Sequence, residues 1–535
     1  MSFSLPTPLP LGVTSLAAVL LLLLLVYNIG LAFYRLVLHP LADFPGPRLA
    51  AASFWYEYYY DCHQRGQYVF KLEQLHKQYG PIIRINPEEI HISDPEFYNE
   101  VYTNKEKRDA WGWQRKGFGS DLSTMATVDH DLHRHRRAAW NPVFSKQRIA
   151  RLQPVIQERV DALMSRMGQA GQNCDIVNLK HGLAAYVADV ASRYFFDIPQ
   201  CKIEDPDFDP EFHDAVQDGF NNVMIMNHFP WLMDILVFMA HYPPPGLLRK
   251  YFVSTKMTKF VTVLRLLGDQ AKAVAARPMA AKEEAAGHTV FDQILSSRLP
   301  HQDKTLDRLK QDAQMLICAS TLSTSWSIGV ATYELVKRPS ALRKLKEELS
   351  IAFPDGPETM NDLPKLESLP YLSAVIQESL RIGIAISHRS ARVSRKEMVY
   401  KVPGTSDVWV IPRGTPTSMS HGLILRDKRI FPRPTEFIPE RWLDNPGLER
   451  YQVVFGKGSR ICPAINLATA MMILPIVSIF GRYGSPGYTA KDDIGRLELF
   501  ETDDSDIECV SDGMIAMPKK GSKGMRFRVT SFDRN

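Results

Sequence analysis

Leu11 to Tyr34 runs for 24 residues without a charged side chain and includes VLLLLLLV at 19–26. As a helix it is roughly 36 Å long, enough to cross a bilayer with some tilt. A cleavable signal peptide has a basic start and a shorter apolar core. Here no Lys or Arg precedes Arg35, while Arg35, His39 and Arg48 follow. That bias sets residues 1–10 on the lumenal side and everything after Arg35 in the cytoplasm. HPLADFPGPR (39–48) holds three prolines and a glycine, so the helix cannot continue through it. The expected organisation is a lumenal segment 1–10, a transmembrane anchor 11–34, a proline-rich hinge 35–50 and one large domain 51–535.

That domain reads as mainly α with small β-sheets. VFKLEQLHKQYG (69–80) is amphipathic and stops at Gly80, and IIRINPEEIHISD (82–94) alternates as a hairpin turning at Asn86-Pro87. Long helical patterns cover 146–167, 176–196, 257–276 and 303–337, with short strands near 389–401, 407–411 and 526–530. The apolar stretch 223–246 reads either as core or as a loop dipping into the membrane interface. A net charge of +5 over 535 residues is too small for a dedicated nucleic-acid binder. The six cysteines are widely and irregularly spaced, which disfavours a zinc cluster and a disulfide framework and points to a reducing compartment.

One cysteine stands apart. Residues 455–464 read FGKGSRICPA. Pro463 suits the first position of a helix over 463–480, which would seat Cys462 at its positive end and favour a thiolate. Gly456 and Gly458 allow a tight turn and close approach of backbone to a flat ligand. Phe455 can cover the sulfur, and Arg460 can reach an anionic group. A planar, dianionic, iron-bearing ligand satisfies all of these provisions: haem with its propionates.

At this loop the chain resembles the cytochrome P450 family, whose pattern Phe-x-x-Gly-x-Arg-x-Cys-x-Gly is matched by Phe455, Gly458, Arg460 and Cys462, with Ala464 in place of the last glycine. The resemblance extends to QESLR (377–381) and FIPERW (437–442), and implies a buried network of Glu378, Arg381 and Arg441 that braces the haem loop. In HDLHRHRRAAWNPVFS (130–145), His133 stands where the family has tryptophan and Arg137 where it has arginine; with Arg392 these are implied propionate ligands. Of the neighbouring basic residues, Arg134 or Arg136 is expected to face outward. LICASTLSTSWSIG (316–329) carries Ser320, Ser323, Thr324 and Ser327 at i, i+3, i+4, i+7. These hydroxyls read either as ordinary back-bonding to the preceding turn or as one polar stripe of a distal oxygen pocket. In the second reading Ser323 and Thr324 are catalytic and the family's acidic residue is replaced by Leu322.

The resemblance implies a single haem-binding domain with the P450 fold. Its activity would be that of a monooxygenase hydroxylating or epoxidising a lipophilic small molecule, with haem held by Cys462 as axial thiolate. No G-x-G-x-x-G unit is present, so electrons from NADPH would arrive through the membrane flavoprotein NADPH–cytochrome P450 reductase, docked on the basic face. The expected location is the endoplasmic reticulum membrane, single-pass. Segments such as IFPRPTEFIPERWL are similar to fungal enzymes of secondary metabolism, terpenoid or polyketide. Substrate contacts are expected from Trp111, Trp113, Phe118 and Met125, from Ser320 and Ser323, from 384–386 and from 514–516. Three rival readings stay open. One is a haem-thiolate isomerase or dehydratase needing no external electrons, motivated by Leu322. Another is a hydrolase or acyltransferase pairing Cys462 with a histidine such as His421. The last is a haem-binding carrier or sensor without a substrate.

Overall fold

The computed structural model describes residues 11–233, 235, 255–277 and 289–532. Residues 1–10 and the part of the apolar stretch at 234 and 236–246 lie outside the described residues. Leu11–Phe33 is an α-helix prolonged by a π-helical turn, Tyr34–Leu38. Within Ser15–Leu38 none of the apolar window is buried, whereas the two other helices long and apolar enough to cross a membrane, His301–Lys337 and Ile465–Arg482, are 72% and 67% buried. The latter two are therefore core helices, and the first is a candidate membrane anchor. The N-terminal helix is tied to the body through Arg84, which is buried and donates to the carbonyls of Arg35 (2.7 Å), Leu41 (3.2 Å) and Pro87 (2.7 Å). Those bonds hold the proline-rich exit at a set angle.

The described residues are 57% helical with small sheets. Helix Tyr68–Tyr79 ends at Gly80, whose φ of +100° only glycine adopts freely. Strands Ile82–Arg84 and Ile90–Ile92 pair antiparallel as expected, and the turn is closed by Asn86 Oδ1, which accepts from the N–H groups of Glu88 and Glu89. They open a five-stranded sheet that continues through Pro416–Ser418, Arg392–Ser394 and Arg108–Ala110. Within it Arg392 lies between Ala110 and Thr417, which aims the 108–118 segment at the same place as Arg392.

The centre is the helix Leu306–Lys337, packed mainly on Leu179–Phe196 and also on Pro370–Gly383 and Ile465–Arg482. Two expectations change. Ile176–Asn178 is a strand paired with Arg526–Arg528, so the helix starts at Leu179, capped by Asn178; hydrophobic periodicity alone cannot separate three strand residues from the helix they lead into. The helix after the cysteine loop begins at Ile465, not at Pro463, because Ala464 keeps a non-helical backbone.

Candidate active site

The loop around Cys462 closes on itself: the N–H of Cys462 donates to the carbonyl of Phe455 at 2.9 Å. Gly456 and Gly458 both take positive φ, +69° and +74°. At Gly458 a Cβ would lie 2.7 Å from the backbone of Tyr102, so the close approach there is to the chain itself; at Gly456 it would meet open space, and glycine is needed for the turn alone. Phe455 is half-buried against the main core. Because the following helix starts three residues after Cys462, the sulfur gains less from its dipole than the sequence suggests. Burial pushes the Cys462 thiol up, opposed by the N–H of Ala464 and by Arg137. A thiolate at this position needs a further positive partner, which a metal supplies.

Around the loop stands a set of basic side chains, with Arg392 and His133 buried and Arg115, Arg137 and Arg460 half-buried. Arg460 donates to the carbonyls of Thr127 (2.7 Å) and Val128 (2.6 Å), and its Nε has no partner among the described residues. Arg392 is 8% exposed and spends its Nη1 on Ser390 and Ala391. Arg137 donates to the carbonyls of Ile461 and Ser459, so it reaches the cysteine loop's own backbone. Arg115 has a single side-chain partner, Ser390 Oγ at 3.3 Å, and an unpartnered Nε. His133 is 6% exposed with an unpartnered Nδ1. Among the described residues no carboxylate bonds to any of these five. The nearest acids, Asp109 and Asp129, are held by Arg395.

The electrostatic consequence is large. Burial, then the neighbouring cations, lower His133 to about 2 and Arg460 to about 8; burial and Arg392 lower Arg115 to about 9. Such a cluster is complete only with an anion in it. Haem, which brings two carboxylates, fits this donor set, and a cysteine loop stands beside it.

Arg115 escaped the sequence reading. It sits in WGWQRKGF, whose aromatic residues drew attention as an apolar lining. A basic pair, Arg115-Lys116, inside an aromatic run was the available signal. Of the two outward candidates Arg134 is the exposed one, whereas Arg136 pairs with the buried Asp303 at 2.8 Å and with Thr127. The cause is tertiary, since Asp303 arrives from the far end of the central helix.

Glu378, Arg381 and Arg441 are brought together as expected. Arg381 grips Glu378 through two bonds of 2.7 and 2.8 Å, and Arg441 Nε adds a third at 3.1 Å. Trp442 Nε1 and the N–H of Ile438 complete the carboxylate. The remaining guanidinium hydrogens go to carbonyls of Leu425, Pro432, Pro434 and Glu436. Glu378 and Arg381 are fully buried.

The serine-rich stretch splits. On the central helix between Ile317 and Gly329 only Ala319, Ser320, Ser323 and Trp326 keep exposure; Thr324 and Ser327 are buried. The single polar stripe is therefore two faces. Ser320, Ser323 and Ser327 all back-bond to the preceding turn, Ser323 Oγ to Ala319 O at 2.8 Å. Leu322 is buried in the core and does not share Ser323's open face. Trp326 is pinned by a 2.8 Å bond from Nε1 to Gly383 O, beside the 384–386 segment. Ala385 in turn accepts from Ala516 N–H at 3.1 Å, so two of the expected substrate segments meet. Trp111 and Trp113 stack on Phe54, and Phe118 packs edge-on to Phe220.

The rival use of Cys462 as a hydrolytic nucleophile fails on geometry. Among the described residues no histidine pairs with it, and His421 bonds to Tyr98 instead.

A family model described as Cytochrome P450 matches residues 50–485. The chain belongs to the cytochrome P450 family. Curated relatives include "Cytochrome P450 monooxygenase tpcC" of Cochliobolus heterostrophus, 41% identical over 94% of this chain and 95% of the relative. "Cytochrome P450 monooxygenase astB" of Talaromyces wortmannii is 38% identical over 97% and 99%. "Tryptophan 6-hydroxylase fscE" of Fusarium equiseti is 35% identical over 96% of both chains. Among solved structures, the "Retinoic acid bound cyanobacterial CYP120A1" superposes with a TM-score of 0.64 at 18% identity, covering 86% of this chain and 94% of that one, which shows a shared fold. The protein is thus a P450 monooxygenase, an oxidoreductase with a haem-thiolate cofactor, and the reading as an isomerase or a substrate-free carrier gives way.

Proposed function

We propose that this P450 hydroxylates or epoxidises a lipophilic small molecule of secondary metabolism, with electrons from NADPH delivered by a membrane flavoprotein reductase. The observation that supports the haem assignment is the placement of the Cys462 loop beside five buried or half-buried basic groups that, among the described residues, no carboxylate satisfies. In this reading Cys462 would bind the haem iron through its sulfur, Arg115, Arg392, Arg460 and His133 would hold the haem carboxylates, and Arg137 steadies the loop from its carbonyls. Bound haem supplies dioxygen activation and oxidation of a C–H or C=C bond.

The remaining tasks fall to the chain. Glu378, Arg381 and Arg441 hold the 432–442 segment ahead of the loop. Ser323 already spends its proton on Ala319 O, leaving oxygen lone pairs on the open face of the helix to hold a water. With Leu322 in the core and no carboxylate at 322, a proton would pass through water held on Ser323, whose O–H would turn from Ala319 O to donate onward as its oxygen accepts from that water. Thr324 is buried behind it and supports the helix. Trp326 and the 384–386 and 514–516 segments shape an apolar pocket. The relatives named tryptophan 6-hydroxylase and N-acetyltryptophan 6-hydroxylase bring planar aromatic substrates into the class.

The unpacked N-terminal helix supports anchorage in the endoplasmic reticulum membrane, with the body on the cytoplasmic side where Arg134 and His135 are exposed to an acidic partner. The reduced, carbon-monoxide-treated protein is expected to show the red-shifted Soret band of an anionic sulfur donor, and Cys462→Ser to lose it together with all product. Reconstitution with reductase, NADPH and dioxygen, read by metabolite profiling, then tests the reaction. Product formed without NADPH or dioxygen would overturn it.

A further inference from the structure

Four carboxylates are buried in one cluster outside the haem site: Glu57, Asp61, Glu89 and Asp512 are each at most 5% exposed. One guanidinium serves them. Arg389 donates to Glu57 and to both oxygens of Glu89 at 3.0 and 3.1 Å. Asn86 bridges the same two acids, and Ser418 adds a bond to Glu89. Asp512 is taken by Ser387 and by His388 Nδ1 at 2.8 Å. Asp61 is left over: its Oδ1 accepts no hydrogen bond among the described residues. A carboxylate 95% removed from solvent with an unused oxygen is costly unless a cation or a proton meets it.

The geometry around Asp61 is that of a ligand set. A carboxylate oxygen of Glu57, one of Asp61 and a ring nitrogen of His228 lie within 4.8 Å of one another. Glu57 and Asp61 are spaced i, i+4 across the point where the helix Trp55–Tyr58 widens into the π-turn Tyr59–His63, so both project from one side. His228 closes the helix Val223–His228, which packs on that turn. Its ring is held edge-on by Tyr58 at 5.5 Å and Trp113 at 5.2 Å, and its buried Nε2 has no partner among the described residues.

We propose that Glu57, Asp61 and His228 bind a structural divalent cation of the zinc class, which clamps the segment after the anchor to the helix Val223–His228. One imidazole and two carboxylates suit a borderline ion, whereas Mg²⁺ and Ca²⁺ prefer all-oxygen shells. Ligands 2.0 Å from a tetrahedral zinc are about 3.3 Å apart, so small side-chain rotations close the set. The ion also balances charge, since four buried carboxylates face one guanidinium. Burial and the neighbouring Glu57 push Asp61 well above the usual carboxylate range, which a bound cation would reverse.

The test uses the full-length, haem-loaded protein produced with added Zn²⁺ and then dialysed. Zinc and iron are measured together by atomic emission, and Tm is followed with a zinc chelator and after return of Zn²⁺ or Mg²⁺. About one zinc per chain is expected, falling about tenfold or more in Asp61→Asn and in His228→Gln. Iron content and the carbon-monoxide band should stay unchanged in Asp61→Asn, which keeps the side chain's size and so the fold. Chelation should lower the parent's Tm and Zn²⁺, not Mg²⁺, should restore it, while Asp61→Asn should not respond. Three results would overturn the proposal: only trace zinc in the parent; zinc equally retained in both variants; or a parent whose Tm neither falls with the chelator nor rises on return of Zn²⁺, which would mean a proton occupies Asp61.

Discussion

Two groups of arginines wholly or partly removed from water are built on opposite terms. Around Glu378 every charge is answered within the chain: Arg381 and Arg441 share the carboxylate and send their other hydrogens to backbone carbonyls. Around Arg115, Arg392 and Arg460 cations face cations, and the bonds go only to neutral oxygens. The first group is finished when the chain folds. The second costs stability until an anion arrives, and so prepares affinity for a dianionic cofactor at the expense of the empty protein. A buried arginine is thus not one kind of evidence; what answers its charge decides whether it reads as scaffold or as site.

Removing one residue from each group should separate them. Glu378→Ala leaves two buried guanidinium groups unanswered, and a loss of about 3–5 kcal/mol is expected in both haem-free and haem-loaded protein; denaturant unfolding checks it, and a stable, haem-loaded variant would break the comparison. Arg115→Ala should act with opposite signs in the two forms. One charge-assisted bond to haem is lost, about 1.5–3 kcal/mol, so haem should leave on the order of 10- to 100-fold faster, as followed by transfer to an acceptor protein. The haem-free form should become more stable, because one of the mutually repelling cations is gone.

The acid behaviour of the haem-free protein sharpens the same point. His133 is held near 2 in the fold, by burial and then by its arginine neighbours, against about 6.5 when unfolded. Between those values the unfolded chain binds the extra proton. The stability is therefore complete above about pH 6.5 and drains away as pH falls toward 2. His133→Gln should flatten that slope, measured as unfolding free energy from about pH 7 down to pH 4. The smallest effect belongs to Ser323→Ala. Its hydroxyl makes one local bond, so fold and haem content should not change, while the fraction of NADPH converted to product falls by about 2- to 10-fold. Unchanged coupling would remove Ser323 from proton relay.

Motifs held within a few residues were legible beforehand. The i, i+3 pair of Glu378 and Arg381 lies on one helical face whatever surrounds it, and the Asn86-Pro87 turn and the Gly80 stop act through local backbone preference. The readings that shifted depended on distant partners. The serine stripe divided because neighbouring helices bury Thr324 and Ser327, and the start of the helix after Cys462 moved with the backbone of Ala464, while the choice between Arg134 and Arg136, open in the sequence, was settled by Asp303. Arg115 was hidden because nothing next to it in the chain is basic except Lys116; Arg392 and Arg460 reach it only through the sheet and the loop.

By itself, then, the chain's order of residues determined an apolar N-terminal helix, a proline exit, a largely helical body and a cysteine in a glycine-marked turn, since each follows from side-chain chemistry and backbone freedom over short range. Only the tertiary structure decided which buried charges are answered and which are left waiting. Burial and Coulomb energy depend on distance in space, and a sequence states distance along the chain alone.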